Sequence, residues 1–134
     1  MRLHLILAAV FWTAMLAVAH AAPTGLWLTE DRTGVIEIAP CGAALCGRIV
    51  GMAAPRDARN CGLVILPDAK PNRDGGYDGH VTDPSTGSVW RCVLWLDETG
   101  DLNLHGYVLL PWLGRTQKWT RYTGRVNDRC EIVL

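Results

Sequence analysis

The sequence predicts an all-β protein, an antiparallel barrel or sandwich of about eight short strands. Three observations predict it. Apolar and polar residues alternate with a period of two in one segment after another. Gly, Pro, Asp and Asn punctuate those segments at regular spacing. Beyond the first 21 residues, no stretch shows a helical repeat.

The elements follow in order. Gly25 to Thr29 opens the series, and Asp31-Arg32-Thr33-Gly34 turns the chain. Val35 to Ala39 alternates, with Ile36 and Ile38 on one face and Glu37 on the other. Pro40 to Ala44 turns it again, and Leu45 to Gly51 returns. Ala53 to Asn60 reads as a polar loop. Gly62 to Leu66 is a continuous apolar run, consistent with a strand buried on both sides or at a sheet junction, and Pro67 to Gly76, with two prolines, reads as a further loop. Tyr77 to Thr82 and Ser88 to Leu96 flank Asp83-Pro84-Ser85-Thr86-Gly87, where Pro suits the first turn position and Gly the left-handed one. Arg91 faces outward in this pattern, which sets Trp90, Cys92, Leu94 and Leu96 inward. Asp97 to Asp101 closes a second hairpin onto Leu102 to Leu110. Pro111 to Gly114 then leads into Arg115 to Tyr122, and a last segment spans Asn127 to Leu134.

The N-terminus reads as a secretory signal peptide over residues 1–21. Met1-Arg2 supplies the positive start, Leu5 to Val18 the apolar run and Ala19-His20-Ala21 the small residues before cleavage. The run is short for a membrane span. Cleavage after Ala21 leaves one domain over 22–134 with Pro23 just inside its start, no membrane span and no lipid-attachment cysteine. It is expected to be periplasmic or secreted, and monomeric or weakly associated. The whole chain has 13 basic and 13 acidic residues, and losing Arg2 leaves the mature chain near −1. That balance removes the usual warrant for nucleic acid or an anionic membrane surface, because both need a basic patch, and nothing in the sequence predicts one assembled from distant residues.

All five cysteines lie beyond the signal segment: Cys41, Cys46, Cys61, Cys92 and Cys130. At this density in an oxidising compartment, disulfides are expected. Cys41 and Cys46 flank a tight turn within bonding reach. Cys61 with Cys92 is the expected second pair, and Cys92 with Cys130 competes with it. A metal site at Cys41, Cys46 and Cys61 would need reduced thiolates. No cofactor is expected, and no Cys-x-x-Cys, phosphate loop, dinucleotide fingerprint or Gly-x-Ser-x-Gly is present. Asp74, Asp78, His80 and Asp83 suggest an acid–base or metal site, but Asp among glycines is ordinary turn chemistry.

The remaining signal is aromatic. Gly25-x-Trp27 at the start and Thr120-Arg121 in a late strand match the closing device of lipocalin-like barrels. There an indole plugs the floor and a guanidinium covers its face. On that reading, the opposite end is the only mouth. Several blocks then occur in one order: Cys41-Gly42 with Leu45-Cys46-Gly47, Cys61-Gly62-Leu63, Asp83-Pro84-x-x-Gly87, and Gly114-Arg115-Thr116-Gln117-x-Trp119-Thr120-Arg121. The series resembles the exported bacterial family catalogued as domain of unknown function 2147. The resemblance implies a lipocalin-like barrel in the cell envelope and no established activity. Tyr107 departs from it, standing where a Cys often follows the Gly of a late strand.

The function expected is therefore binding of a small apolar or amphipathic ligand inside the barrel. Trp90, Leu94, Tyr107 and Trp112 are the candidate contacts, while Trp95 and Tyr77 complete the aromatic set; the aromatics equally suit filling a small barrel's interior or capping its ends. The alternative is an interaction module, an inhibitor or assembly factor that meets an envelope protein through its loops, for which Trp112 at a turn is the motive. No nucleophile with a paired base supports an enzyme.

Overall fold

A computed structural model describes residues 11–14, 21–54 and 59–133. Most of the expected signal segment lies outside the described residues. Eight strands form a closed antiparallel barrel in sequential order: β1 (Gly25–Leu28), β2 (Gly34–Cys41), β3 (Ala44–Met52), β4 (Val64–Pro71), β5 (Tyr77–Thr82), β6 (Val89–Leu96), β7 (Leu102–Tyr107) and β8 (Gly114–Arg121). Two short strands, β9 (Arg125–Val126) and β10 (Ile132–Val133), make a separate hairpin.

Local chemistry sets the hairpins. In the β5–β6 turn, Asp83 Oδ1 accepts from the Ser85 amide at 2.8 Å and its hydroxyl at 2.6 Å. The β6–β7 turn repeats the device with Asp97 and Thr99, at 2.9 and 2.6 Å. Gly87 and Gly100 then take φ of 75° and 84°, a left-handed conformation that a Cβ disfavours.

Period-two alternation decides what faces inward. Trp27 pairs with Ile36, Ile36 with Ile49, Leu94 with Leu104, and Leu102 with Trp119. These residues, with Ile38, Leu45, Leu66 and Ala69, are nearly inaccessible and form one core. The outer face of β1–β3 is covered as well. A Cβ on Gly51 would lie 2.9 Å from Val126 and 3.3 Å from Ile132, so the β9–β10 hairpin packs on this glycine beside Val35, itself fully buried.

The reading of Pro67 to Gly76 as a loop is corrected: β4 continues through Pro67 to Pro71. Proline is tolerated because the β3–β4 ladder is bulged and the β4–β5 pairing is confined to Lys70–Asp78 and Pro71–Tyr77, leaving few amides that a proline would rob. The Gly62–Leu66 run is also only half buried, with Leu63 and Val64 exposed and Ile65 and Leu66 in the core.

Cys41–Cys46 is bonded, with Cα atoms 5.7 Å apart across the β2–β3 hairpin. The second disulfide is Cys61–Cys130, which corrects the pairing of Cys61 with Cys92 and the competing Cys92–Cys130. The tail explains it. The Met52 amide donates to the Cys130 carbonyl at 2.7 Å, bringing Cys130 beside the end of β3 and within reach of Cys61. Cys92 instead pairs across Gly79 and Gly106 on the inner face, where it is a free, buried thiol. Burial, helped by the carboxylates of Asp68 and Asp78, pushes this thiol up to about 12.

Two predictions follow from this cysteine arrangement. Non-reducing peptide mapping recovers Cys61 joined to Cys130, and Cys92 resists alkylation until denaturant is added. Replacing both Cys61 and Cys130 by Ser lowers unfolding free energy by about 4 kcal/mol, the loop entropy expected for a long closed loop, measured by urea denaturation.

Candidate functional site

The two ends of the barrel differ. At one end lie the N-terminal segment, the β2–β3, β4–β5 and β6–β7 turns and the end of β8; this end is the base. At the other lie the remaining turns.

The base is shut by residues the sequence singles out. Trp27 is wholly buried and sits directly across the β1–β8 seam from Arg121. The guanidinium carbon lies 4.1 Å from the indole centroid, a cation–π contact. Arg121 Nη1 donates to the Thr24 carbonyl, and Trp27 Nε1 donates to the Pro23 carbonyl at 2.9 Å. These bonds draw residues 23–24 across the base as a strap. Pro23, which is buried, borders a small void with Ile38, Leu45, Leu66, Ala69, Tyr77 and Leu94 that has no room for a water molecule. Gly25 makes the arrangement possible. Its φ is 116°, and a Cβ there would fall 2.6 Å from Arg121 Nη1.

Beside the strap is a cleft of about 310 Å³, lined by Pro23, Tyr77, Trp95 and Leu96, with Gly75, Gly100, Asp97 and Glu98 at its edge and Ala21 on one wall. Tyr77 and Leu96 are in phase with the inner face. Trp95 is out of phase and partly exposed. Asp97 is tied down: Thr99 and Asn103 donate to it, and Lys118 Nζ stands 3.3 Å away. The Thr99 hydroxyl first, then the Asn103 amide, holds the Asp97 carboxyl well below the usual range. The Ser85 hydroxyl does the same for Asp83.

The sequence-based ligand candidates do not meet in one pocket. Leu94 is a core residue. Trp90 is in phase with Cys92 and Leu94 but stands at the far rim, 37% exposed. Trp112 is in the β7–β8 turn and 75% exposed. Tyr107 pairs with Arg91 on the outer face and stacks on His105, with ring centroids 6.1 Å apart, so it does not line the interior. The expectation of a single mouth opposite Trp27 is corrected too, because the cleft opens at the Trp27 end.

The acid–base candidates also separate. Asp83 serves its own turn, and Asp78 accepts from Asn72 at 3.0 Å. His80 lies on the outer face, 2.9 Å from Asp68, a partner hidden in the sequence because Asp68 falls in a proline-containing stretch that reads as loop. Among the described residues, no three His, Cys, Asp or Glu side chains converge as metal ligands. The other missed element was the cleft itself. Its signal was Tyr77 and Trp95, each close to a Gly-containing turn, although Tyr77 is in register with Leu94 and Trp95 sits at an outward position.

The closed barrel with its indole–guanidinium base defines a lipocalin-like β-barrel protein. The chain belongs to the bacterial family described as "Uncharacterized protein conserved in bacteria (DUF2147)", which matches residues 25–121. That span runs from the glycine under the guanidinium to the arginine itself, so the tail hairpin lies outside it. Among solved structures the chain is similar to protein HP1028 from Helicobacter pylori, described as belonging to the lipocalin family. Identity is 17% and the TM-score 0.64, over 76% of this chain and 84% of that one. At this identity the likeness speaks for the fold. No curated protein matches the chain.

Two outcomes test this geometry. Gly25→Ala and Arg121→Lys each lower unfolding free energy by about 1–2 kcal/mol, read as a reduced urea midpoint with unchanged slope. Asp83 and Asp97 have folded-state pKa values below those of the unfolded chain. Their contribution is therefore full above the unfolded value near 4 and is lost as pH falls through the folded one. The urea midpoint should drop below about pH 4, and less steeply in Asp97→Asn, which loses the Asp97 share of this linkage and keeps that of Asp83.

Proposed function

We propose that this is an exported, non-enzymatic binding protein for one small apolar or amphipathic molecule, held at the base cleft rather than in the barrel shaft. The observation that carries the reading is the cleft itself. Its volume of about 310 Å³ falls at the lower end of the range for small-molecule sites, and its floor and wall are Pro23, Tyr77, Trp95 and Leu96. An aromatic wall takes the apolar body of a ligand, while Glu98 at the edge suits a polar or cationic head. The shaft is filled by core side chains, which disfavours a ligand there. Cleavage after Ala21 would remove one wall residue and widen the entrance. A lipocalin-like fold suits small-ligand binding in general, and two disulfides fit an oxidising compartment, periplasmic or external.

Native mass spectrometry of gently extracted protein should show a retained mass below that of a membrane lipid. The fluorescent probe N-phenyl-1-naphthylamine should bind once per chain, about tenfold more weakly to Trp95→Ala. Equal binding by wild type and Trp95→Ala, or none by either with no retained mass, overturns the assignment.

A second reading, an envelope interaction module acting as inhibitor or assembly factor, is favoured by the exposed apolar turn at the opposite end. Crosslinking from position 112 in the intact envelope would then recover one dominant protein.

A further inference from the structure

The β7–β8 turn is the most apolar exposed feature of the barrel. Val108, Leu109, Leu110, Trp112 and Leu113 are 57, 80, 40, 75 and 64% exposed, and Pro111 completes an unbroken apolar run. Exposure on this scale in consecutive residues marks an interaction surface. We propose that this turn is a membrane-docking tip that seats in the headgroup region of a bilayer rich in anionic phospholipid.

Three observations choose lipid over a protein groove. First, the Trp112 indole N–H is the one polar side-chain group the run offers, and its side chains are exposed together along a turn rather than spread over a flat patch. A fluid apolar phase accommodates that shape, and Trp is favoured at the bilayer interface. Second, part of the turn's backbone is satisfied from within, which lowers the cost of seating it among headgroups, where the other amides and carbonyls still meet polar partners. The Leu113 amide donates to the Leu110 carbonyl at 2.9 Å, and Pro111 has no amide to lose. His105 Nε2 donates to the Pro111 carbonyl while its Nδ1 accepts from the Thr116 hydroxyl at 2.8 Å, so the imidazole props the turn from below. Third, the charge at its foot is cationic. Arg91 is paired in register with Tyr107, and Arg115 with Gly106. Both are exposed, and neither joins an ion pair among the described residues. The acids on neighbouring turns keep their charge but direct it at donors near their own turns: Asp31 accepts from Thr29 and Thr33, Asp83 from Ser85, and Glu30 from the Lys118 amide. Two free guanidinium groups beside an apolar wedge match phosphate groups above acyl chains.

The tip lies at the end opposite the cleft, so the proposal does not rest on the ligand reading. The test uses protein recovered from an oxidising export compartment. It is mixed with vesicles of phosphatidylglycerol and phosphatidylethanolamine, or of phosphatidylcholine alone. Wild type should sediment with the anionic vesicles, with blue-shifted tryptophan emission. Leu109→Asp/Trp112→Ala should bind about tenfold less or weaker, because the apolar contacts are gone. Arg91→Gln/Arg115→Gln should lose the preference for anionic vesicles and its salt dependence. Since these variants share one N-terminus, their differences report the tip alone. Unchanged probe binding at the cleft and unchanged urea midpoints should accompany both losses. Wild type staying in solution at low salt would overturn the proposal, as would equal binding by the tip variant. So would a dimer or single-protein complex that depends on Trp112 in place of vesicle binding, and none of these outcomes would touch the cleft.

Discussion

The contact of Arg121 with Trp27 is the constraint on which the rest of the structure depends. The two residues are the cross-strand pair at the barrel seam, so one contact sets the register of closure and seals the base. A slip of one residue would turn the indole outward and leave the guanidinium with no aromatic face to cover. Their polar groups also reach out of the sheet to the Pro23 and Thr24 carbonyls, which is why the chain before β1 lies across the opening. The seam itself is short, with Leu28–Thr120 as its other paired position and the Tyr122 amide extending it to Leu26 at 3.0 Å. A short seam benefits most from an aromatic plug held by a charge-assisted hydrogen bond.

Closure has consequences for packing. Inward positions from all eight strands converge on one core, and small residues at Gly47 and Gly79 make room where the walls approach Leu66 and Ala69. Filling the shaft in this way leaves binding to the ends. The outer face of β1–β3 then needs a cover of its own, because Val35 is apolar there; the tail hairpin supplies it, and Cys61–Cys130 anchors that tail. A small domain gains most from such staples, since its core is limited by its surface-to-volume ratio.

The two ends therefore carry different chemistry on one rigid frame. The base couples a strap, two Gly-containing turns and an aromatic pair around a cleft. The far end presents an apolar turn propped by His105. Binding elements placed on turns while the sheet stays rigid are the usual division in barrels, because turn residues are free of the ladder's hydrogen-bond demands.

Much of the fold was legible in the chain because it rests on local rules. Asp83 to Gly87 and Asp97 to Asp101 carry turn chemistry in themselves, and the alternation in Trp90 to Leu96 reports its own inner face. Gly25, Trp27 and Arg121 were readable as a closing set because each residue type has a specific part in it. The same alternation in Leu102 to Tyr107 puts Tyr107 with Asn103 and His105 on the outside, a signal present in the sequence. Other features had no local signal. Whether Pro67 and Pro71 interrupt a strand depends on which neighbouring carbonyls need an amide. Which cysteine meets Cys61 depends on where the tail folds back, and which end holds a cleft depends on how Pro23 and two distant turns meet. By itself, then, the sequence determined the strand pattern, the turns and the closing pair, since these follow from side-chain period and backbone preference. Only the tertiary structure decided the second disulfide, the filled shaft and the position of the cleft, because each is a contact between segments far apart in the chain and is set by the geometry of the closed sheet.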